Sequence, residues 1–378
     1  MSTPGLDPGE VPRWITHAVI PAFNLIVAFV ISGIIIALIG ENPFQAFWLL
    51  LRGAFGYGDA IGFTLYYTTN FIFTGLAVAV AFHCTLFNIG GEGQAYIGGL
   101  GVGLVGLWLG HWPPILVIPI GILAAAIFGA GWAYIPAYLQ AKRGSHIVIT
   151  TIMFNFIAAA LMTYLLVNVL IKPGQQAPES RTFDTGIWLP KMEDLLEPFG
   201  FIMRSPLNLS FLIAIAASVG VWIFIWHTRW GYEIRTVGQN PSAAVYAGIS
   251  PSRNMIIAML ISGALAGGVG INEIMGIHHR LLLDFPAGFG FVGIAVALMG
   301  RSHPFGIFFA ALLFGILFQG GTELSFDMPK VTRDMVVVIQ GLVILFSGAM
   351  EHVFRTPIVA LYMRFRQAPS QAAEGAAE

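Results

Sequence analysis

Apolar positions fall in long runs along this chain, separated by short polar breaks. Runs such as "AVIPAFNLIVAFVISGIIIALIG" (Ala18 to Gly40) and "LSFLIAIAASVGVWIFIW" (Leu209 to Trp226) are apolar on every face. They suit a hydrocarbon layer about 30 Å thick. Spans of this kind are helical, because lipid offers no partner to open backbone groups. The pattern predicts an all-α, polytopic transmembrane bundle of about ten spans, at 17–40, 63–87, 93–110, 114–139, 146–170, 207–227, 254–272, 289–300, 304–320 and 333–350. The second is interrupted by polar residues and the eighth is too short to cross unaided. "HWPP" (His111 to Pro114) reads as a tight outer turn and "PKVTRD" (Pro329 to Asp334) as the start of the last helix.

Composition agrees: 57% of the 378 residues are hydrophobic and 10% charged, where a soluble domain is roughly a quarter charged. Residues 1–16 read as a cytoplasmic tail without a signal-peptide pattern, 17–350 as the membrane domain, and 351–378 as a disordered cytoplasmic tail. Placing both ends inside puts ten of the 18 basic residues in inner segments, including the short loops "QAKRGSH", "HTRWGYEIR" and "GRSH". This register counts 289–320 as two crossings; a re-entrant hairpin there would invert the orientation of every later segment. Segment 171–206 becomes a large external loop, whose Trp188 and Phe199 suggest that it rests on the membrane or rims a pore. Cys84 is the sole cysteine, so no internal disulfide or cysteine-built metal site is expected. With a net charge of −1 and no basic cluster, nothing points to nucleic acid.

One inner loop, 228–253, is unlike the others. In "GQNPSAAVYAGIS", Asn240 is placed as an N-cap, Pro241 at the first helical position and Gly248 near the stop. A short helix in water is marginal unless something packs on it, so this segment reads as a docking element for a cytoplasmic protein.

Four ordered motifs then carry a resemblance. "GYEIRTVGQNPSAAVYAGIS", "TLFNIGGEGQAYIGGL", "SGALAGGVG" and "GFGFVGIAVALMGRSHPFGIFFAALLFG" resemble bacterial ABC-importer permeases of the simple-sugar and nucleoside branch, over about residues 15–350. The outer "PGQQAPESRTFDTGIWLP" is similar to the subset associated with nucleoside uptake. The resemblance implies a bacterial inner-membrane permease subunit, not an enzyme, that forms a translocation path. Its implied partners are a separate ABC ATPase carrying ATP and Mg, a second permease (a heterodimer favoured, a homodimer the alternative) and an extracytoplasmic binding protein. This chain would hold no cofactor itself, and it lacks the G-x-x-x-x-G-K-Ser/Thr phosphate loop. Carried over by motif, the ATPase would meet Glu233, Arg235, Gly238, Asn240, Pro241, Ala243, Ala244, Tyr246, Ala247 and Gly248.

In "NIGGEGQ", Glu92 and Gln94 are placed to pair with helix-end amides and Asn88 with a carbonyl. The motif reads as structural or gating, with direct substrate contact as the alternative. Further substrate-path candidates are the polar span residues Asn70, Asn155, Asn168, Asn272 and Gln319, and the aromatics Phe71, Phe154, Phe156 and Phe289. His278 and His279 read as surface residues of an external loop, with Glu273, Arg280 and Asp284 beside them facing the delivering protein. Glycine-rich faces around Gly98 and Gly267 fit close helix packing. A simple-sugar permease is the nearest rival reading. An ion-coupled transporter or a membrane enzyme would need broken-helix ion sites or a nucleophile–base pair, and neither pattern is visible.

Overall fold

The computed structural model describes residues 19–197, 200, 204–346 and 359. The tails at 1–16 and 351–378, apart from Val359, lie outside the described residues, as do Phe199 and the end of the span expected at 333–350. In chain order the helices are α1 (Ile20–Leu38), α2 (Pro43–Phe55), α3 (Gly58–Phe82), α4 (Gly91–Leu109), α5 (Pro114–Arg143), α6 (Ile147–Asn168), the short α7 (Met192–Leu196), α8 (Ser210–His227), α9 (Arg229–Gln239), α10 (Pro241–Tyr246), α11 (Pro251–Ala266), the single turn α12 (Gly268–Gly270), α13 (Phe289–Met299), α14 (Pro304–Asp327) and α15 (Arg333–Ile344). A π-helical stretch, Ile271–His278, extends α12.

Six of these helical stretches are long and apolar enough to cross a membrane, and a seventh arises if α1 and α2, bent by 118° at their junction, make one broken span. The expectation was about ten. The stretch 93–110 does form a helix, α4, but its glycines and its Glu92 and Gln94 dilute its hydropathy. The spans expected at 289–300 and 333–350 appear as described helices of 11 and 12 residues. Helix α2 was not expected.

The chain divides into two compact units, Met1–Leu49 with Leu324–Glu378, and Leu50–Glu323. In the first, Ile36, Ala46, Leu324, Met328, Val331 and Ile339 form a core, and Lys330 pairs with Glu41 at 3.3 Å.

In the second unit α3 is central: 83% of its apolar stretch is buried, against 22% for α5, α6 and α8. The outer helices present Leu123, Ile127, Ile149 and Phe156 outward, the face that lipid would cover. Small residues let α4, α5 and α11 meet backbone to backbone. A Cβ on Gly98 would sit 2.4 Å from the Cα of Gly267, so the crossing tolerates no side chain there.

Polar ties gather the connecting segments at two ends. At one end Thr85 Oγ1 donates to the Gly238 carbonyl at 2.6 Å, His83 Nε2 meets the Ser302 carbonyl at 2.9 Å and Ser252 Oγ donates to the Ala141 carbonyl at 3.0 Å. Four loops with separate places in the sequence, 83–90, 141–146, 228–253 and 300–303, therefore share that end. At the other, Ser180 and Phe183 donate backbone bonds to Leu281 and His279, and Leu189 to Met275. The loop 171–206 thus packs on the bundle along much of its described length.

Candidate functional site

The segment between the π-helix and α13 packs along α4. Leu281 packs where a Gly103 Cβ would be, and Phe285 where a Gly99 Cβ would be. The chain then reaches the first turn of α4, where Glu92 receives it. Glu92 Oε1 accepts from Gly288 N and Oε2 from Gly290 N, both at 2.8 Å. These are donors that the first turn of α13 cannot satisfy internally, and the helix dipole favours a carboxylate there. Helix α13 then runs along the second half of α3 to the turn Gly300–His303, where α14 begins. Irregular backbone at this depth is tolerated because protein surrounds it.

Beside this joint, Asn88 and Gln94 close on each other. Asn88 Nδ2 donates to Gln94 Oε1 and to Ser262 Oγ at 2.9 Å, and its Oδ1 accepts from Gly90 N. Asn155 clamps the same turn, accepting from Gly93 N and donating to the Ile89 carbonyl, both at 2.9 Å. The "NIGGEGQ" polar groups are thus engaged in holding a turn and a helix end.

A second buried polar group joins α3, the start of α8 and the π-helix. Glu273 Oε1 accepts from Tyr66 Oη and Asn70 Nδ2, each at 2.6 Å, while His278 Nε2 stands 3.4 Å from Oε2. Asn272 Nδ2 donates to Asn70 Oδ1 at 3.0 Å, and Asn272 Oδ1 accepts from Asn208 Nδ2 and Ser210 Oγ. The expectation that Glu273 faces outward is overturned. The span continues to His278 and carries Glu273 inward, 2% exposed. His279 is half-buried too, stacked on Trp188 with centroids 4.0 Å apart. Burial, and then the nearby Lys191, hold its imidazole down at about pKa 4. Arg280 is engaged by Glu179 at 3.1 Å, while Asp284 remains exposed.

Next to the network lies a ring cluster. Phe71 is 5.5 Å from Phe289 and 4.9 Å from Phe318, and Tyr67 is 5.6 Å from Phe318. Phe71 and Phe289 are buried; Tyr67 and Phe318 are partly exposed. Among the substrate-path candidates, Asn70, Phe71, Asn272 and Phe289 are therefore brought together, with Glu92 behind Phe289. Gln319 is buried next to Phe318 in sequence, with Glu323 3.5 Å away. Phe154 stands apart, its ring 5.3 Å from Trp132, and Asn168 is exposed at the far end of α6, bonded to the Tyr164 carbonyl. Tyr66, Tyr67, Asn208, Ser210 and Phe318 were not foreseen. The spacing of Tyr66 and Asn70, one helical turn apart, was the available signal.

Within 228–253 the short helix after Asn240 forms as its sequence predicts, whereas α9 before it was not foreseen. Asn240 Oδ1 accepts from Ala243 N at 3.0 Å, Pro241 opens α10, and Gly248 ends it at a φ of +75°. Pro241, Ala243, Ala247 and Gly248 are exposed, and Tyr246 is 94% exposed. Other members of the expected docking set turn inward. Ala244 is buried against α11, and Gly238 abuts the His83 carbonyl. Glu233 pairs with Arg229 at 3.0 Å and accepts from Asn254 at 3.3 Å; Arg235 is partly buried. Their small size or charge serves the base on which α10 stands. Asn240→Ala should lower the stability of α10 by about 1 kcal/mol, read as about fivefold faster amide exchange at Ala243 and Ala244.

Among the described residues no group of three or more His, Cys, Asp or Glu is disposed to hold a metal ion.

The family profile described as "Branched-chain amino acid transport system / permease component" matches residues 60–348. The chain is 33% identical to the glucose ABC transporter permease protein TsgB13 of Haloferax volcanii, over 98% of this chain and 97% of that one. It is 34% identical to the nucleoside ABC transporter permease protein NupB of Lactococcus lactis, over 86% and 89%. It is 32% identical to the guanosine ABC transporter permease protein NupP of Bacillus subtilis, over 89% and 94%. The chain therefore belongs to this family and is a non-catalytic permease subunit of an ABC importer of the sugar and nucleoside type.

Proposed function

We propose that this permease takes up nucleosides across the cytoplasmic (inner) membrane of a bacterium. The observation that carries the reading is the Tyr67–Phe71–Phe289–Phe318 ring cluster beside the Asn70–Asn272–Glu273 network. Flat π-faces suit a heterocyclic base, and neighbouring amides suit its polar edge or a ribose hydroxyl. The likeness to NupB and NupP supports the same class. In this reading both chain ends face the cytoplasm, the end holding 83–90 and 228–253 is cytoplasmic, and 171–206 meets a binding protein outside. Exposed α10, with Tyr246 foremost, enters a cleft of the ATPase, and a second permease, favoured as a heterodimer partner, completes the path.

The test is uptake of labelled nucleosides, glucose and ribose into proteoliposomes holding this chain, its second permease and its ATPase, with binding protein supplied outside. ATP-dependent nucleoside uptake that excess sugar does not compete away is the expected result. Uptake of sugar alone would overturn the nucleoside assignment, and uptake by this chain alone on an ion gradient would overturn coupling to an ATPase.

A further inference from the structure

Separate parts of the chain meet at His83, the residue that follows α3. Its Nε2 lies 2.9 Å from the Ser302 carbonyl in the turn between α13 and α14. A carbonyl only accepts, so the ring carries its hydrogen on Nε2 and donates it there. The ring also meets Trp226 of α8 edge to face, with centroids 5.1 Å apart. The His83 carbonyl oxygen lies against α9, where a Cβ on Gly238 would come within 2.2 Å of it. Thr85, two residues on, closes the same contact by donating to the Gly238 carbonyl.

The turn on the far side of the His83 bond holds an unusual conformation. Arg301 and Ser302 stand in succession at φ +51° and +53°, where an L side chain crowds its own backbone. Two such residues in a row persist only when their surroundings over-determine them. Part of that constraint is local: Ser302 N donates to the Ala297 carbonyl at 2.8 Å, and His303 N to that of Gly300 at 3.1 Å. Gly300 abuts the backbone of Gly306 and Ile307, so the turn and the start of α14 form one piece. His83 adds a bond from outside both helices. On its other side, α9 is seated on α8. Gly231 lies against the Phe224 and Ile225 carbonyls, and Thr228 caps α9 by accepting from Gly231 N at 3.1 Å. Asn240 ends α9 and begins α10. A displacement of α10 therefore bears on Gly238, and close-packed backbone transmits it rather than absorbing it.

We infer that His83 is a positioning residue for transport, which passes the movement of α10 to the α13–α14 turn through its bond to Ser302. The inference rests on the reading of α10 as the element that meets the ATPase. Helices α13 and α14, joined by that turn, carry Phe289 and Phe318 against Phe71. Glu92 holds the other end of α13, so a movement entering at Ser302 pivots about that joint. The ring cluster is thereby altered although His83 stands several turns of α3 away from Phe71.

The experiment is hydrogen exchange on the full permease–ATPase complex, with and without a non-hydrolysable ATP analogue. Beside it, ATP hydrolysis is measured in proteoliposomes with uptake of whichever labelled nucleoside or sugar the unaltered complex transports. In the unaltered complex the nucleotide should change exchange in both 228–250 and 297–306. His83→Phe keeps a ring beside Trp226 but has no donor. It should leave the response of 228–250 intact and abolish that of 297–306. Uptake per ATP hydrolysed should fall about fivefold, the worth of one such bond. His83→Gln, whose amide can place an N–H near the position of Nε2, should restore both. A Gln variant no better than Phe, or a 297–306 response that survives in His83→Phe, would overturn the inference. So would an unaltered complex that responds at 228–250 alone, a result independent of how any variant folds. No response at 228–250 would remove the reading of α10 itself, and the inference with it.

Discussion

Replacing Glu92 with alanine should lower ATP-driven uptake at least tenfold while the complex still assembles. The carboxylate satisfies two buried amides, Gly288 and Gly290, at 2.8 Å each. Leaving such donors without a partner costs about 1–3 kcal/mol apiece, and tenfold in an equilibrium needs about 1.4 kcal/mol. The position of α13 depends on this joint, because the ten residues before it are irregular and its own N-cap residue, Gly288, has no side chain to cap it. Glu92→Gln is the sharper test. It preserves shape, but only its oxygen can accept; its NH₂ would meet an amide N–H. Uptake should fall with Gln nearly as far as with Ala, and Asp, one methylene shorter, should not rescue both bonds. Full uptake by the Gln variant, with assembly confirmed by size-exclusion chromatography, would show that the carboxylate is not required.

A comparable loss is expected of Gly238→Val, through a different part of the molecule. A Cβ at Gly238 would lie 2.2 Å from the His83 carbonyl oxygen and 3.3 Å from the Cα of Cys84. Both neighbours are backbone at the end of α3, so α9 must move away, and the Thr85–Gly238 bond at 2.6 Å breaks with it. Overpacking of this kind costs about 1–3 kcal/mol. Helix α10 rides on α9, while α13 is tied to the same His83 through Ser302 at 2.9 Å. On the proposed docking through exposed Tyr246 the variant should still bind the ATPase, yet uptake should drop at least about tenfold for the same energetic reason. Tyr246→Arg should do the reverse, weakening recovery of the ATPase with the permease while leaving α9 in place. Measuring ATP hydrolysis and uptake together separates the two. If Gly238→Val transports normally, the α9–α3 contact carries no coupling.

How far the sequence anticipated this architecture varies by element. Helix α10 was legible almost residue by residue, because capping and helix termination are local: Asn240, Pro241 and Gly248 act through neighbours a few positions away. The runs behind α3, α5, α6, α8 and α14 were legible because a span needs little more than sustained apolarity. Helix α2 escaped because Gln45, Arg52 and the nearby glycines interrupt the apolar run over 41–57. Glu273 was misplaced because nothing local tells a residue at the end of a span from one in the next loop. Its two hydrogen-bond donors, Tyr66 and Asn70, lie some 200 positions earlier. Phe318 was hidden among thirty phenylalanines, since the rings it meets lie on other helices. Similarly, the small size of Gly238 and Ala244 suggested an external partner, whereas the neighbours that demand it belong to this same chain.

The shortness of α13 bears on how the protein is made. An 11-residue helix, preceded by a stretch bearing Arg280 and Asp284, is too brief to leave a translocon sideways into lipid as an independent span. Its entry must wait until α3 has supplied a wall and α4 has presented Glu92, and α14 must follow to hold the returning turn. Residues 279–303 are in that sense guests of helices already inserted. A lesion at Glu92 would accordingly be felt twice, once in the working cycle and once, earlier, in biogenesis.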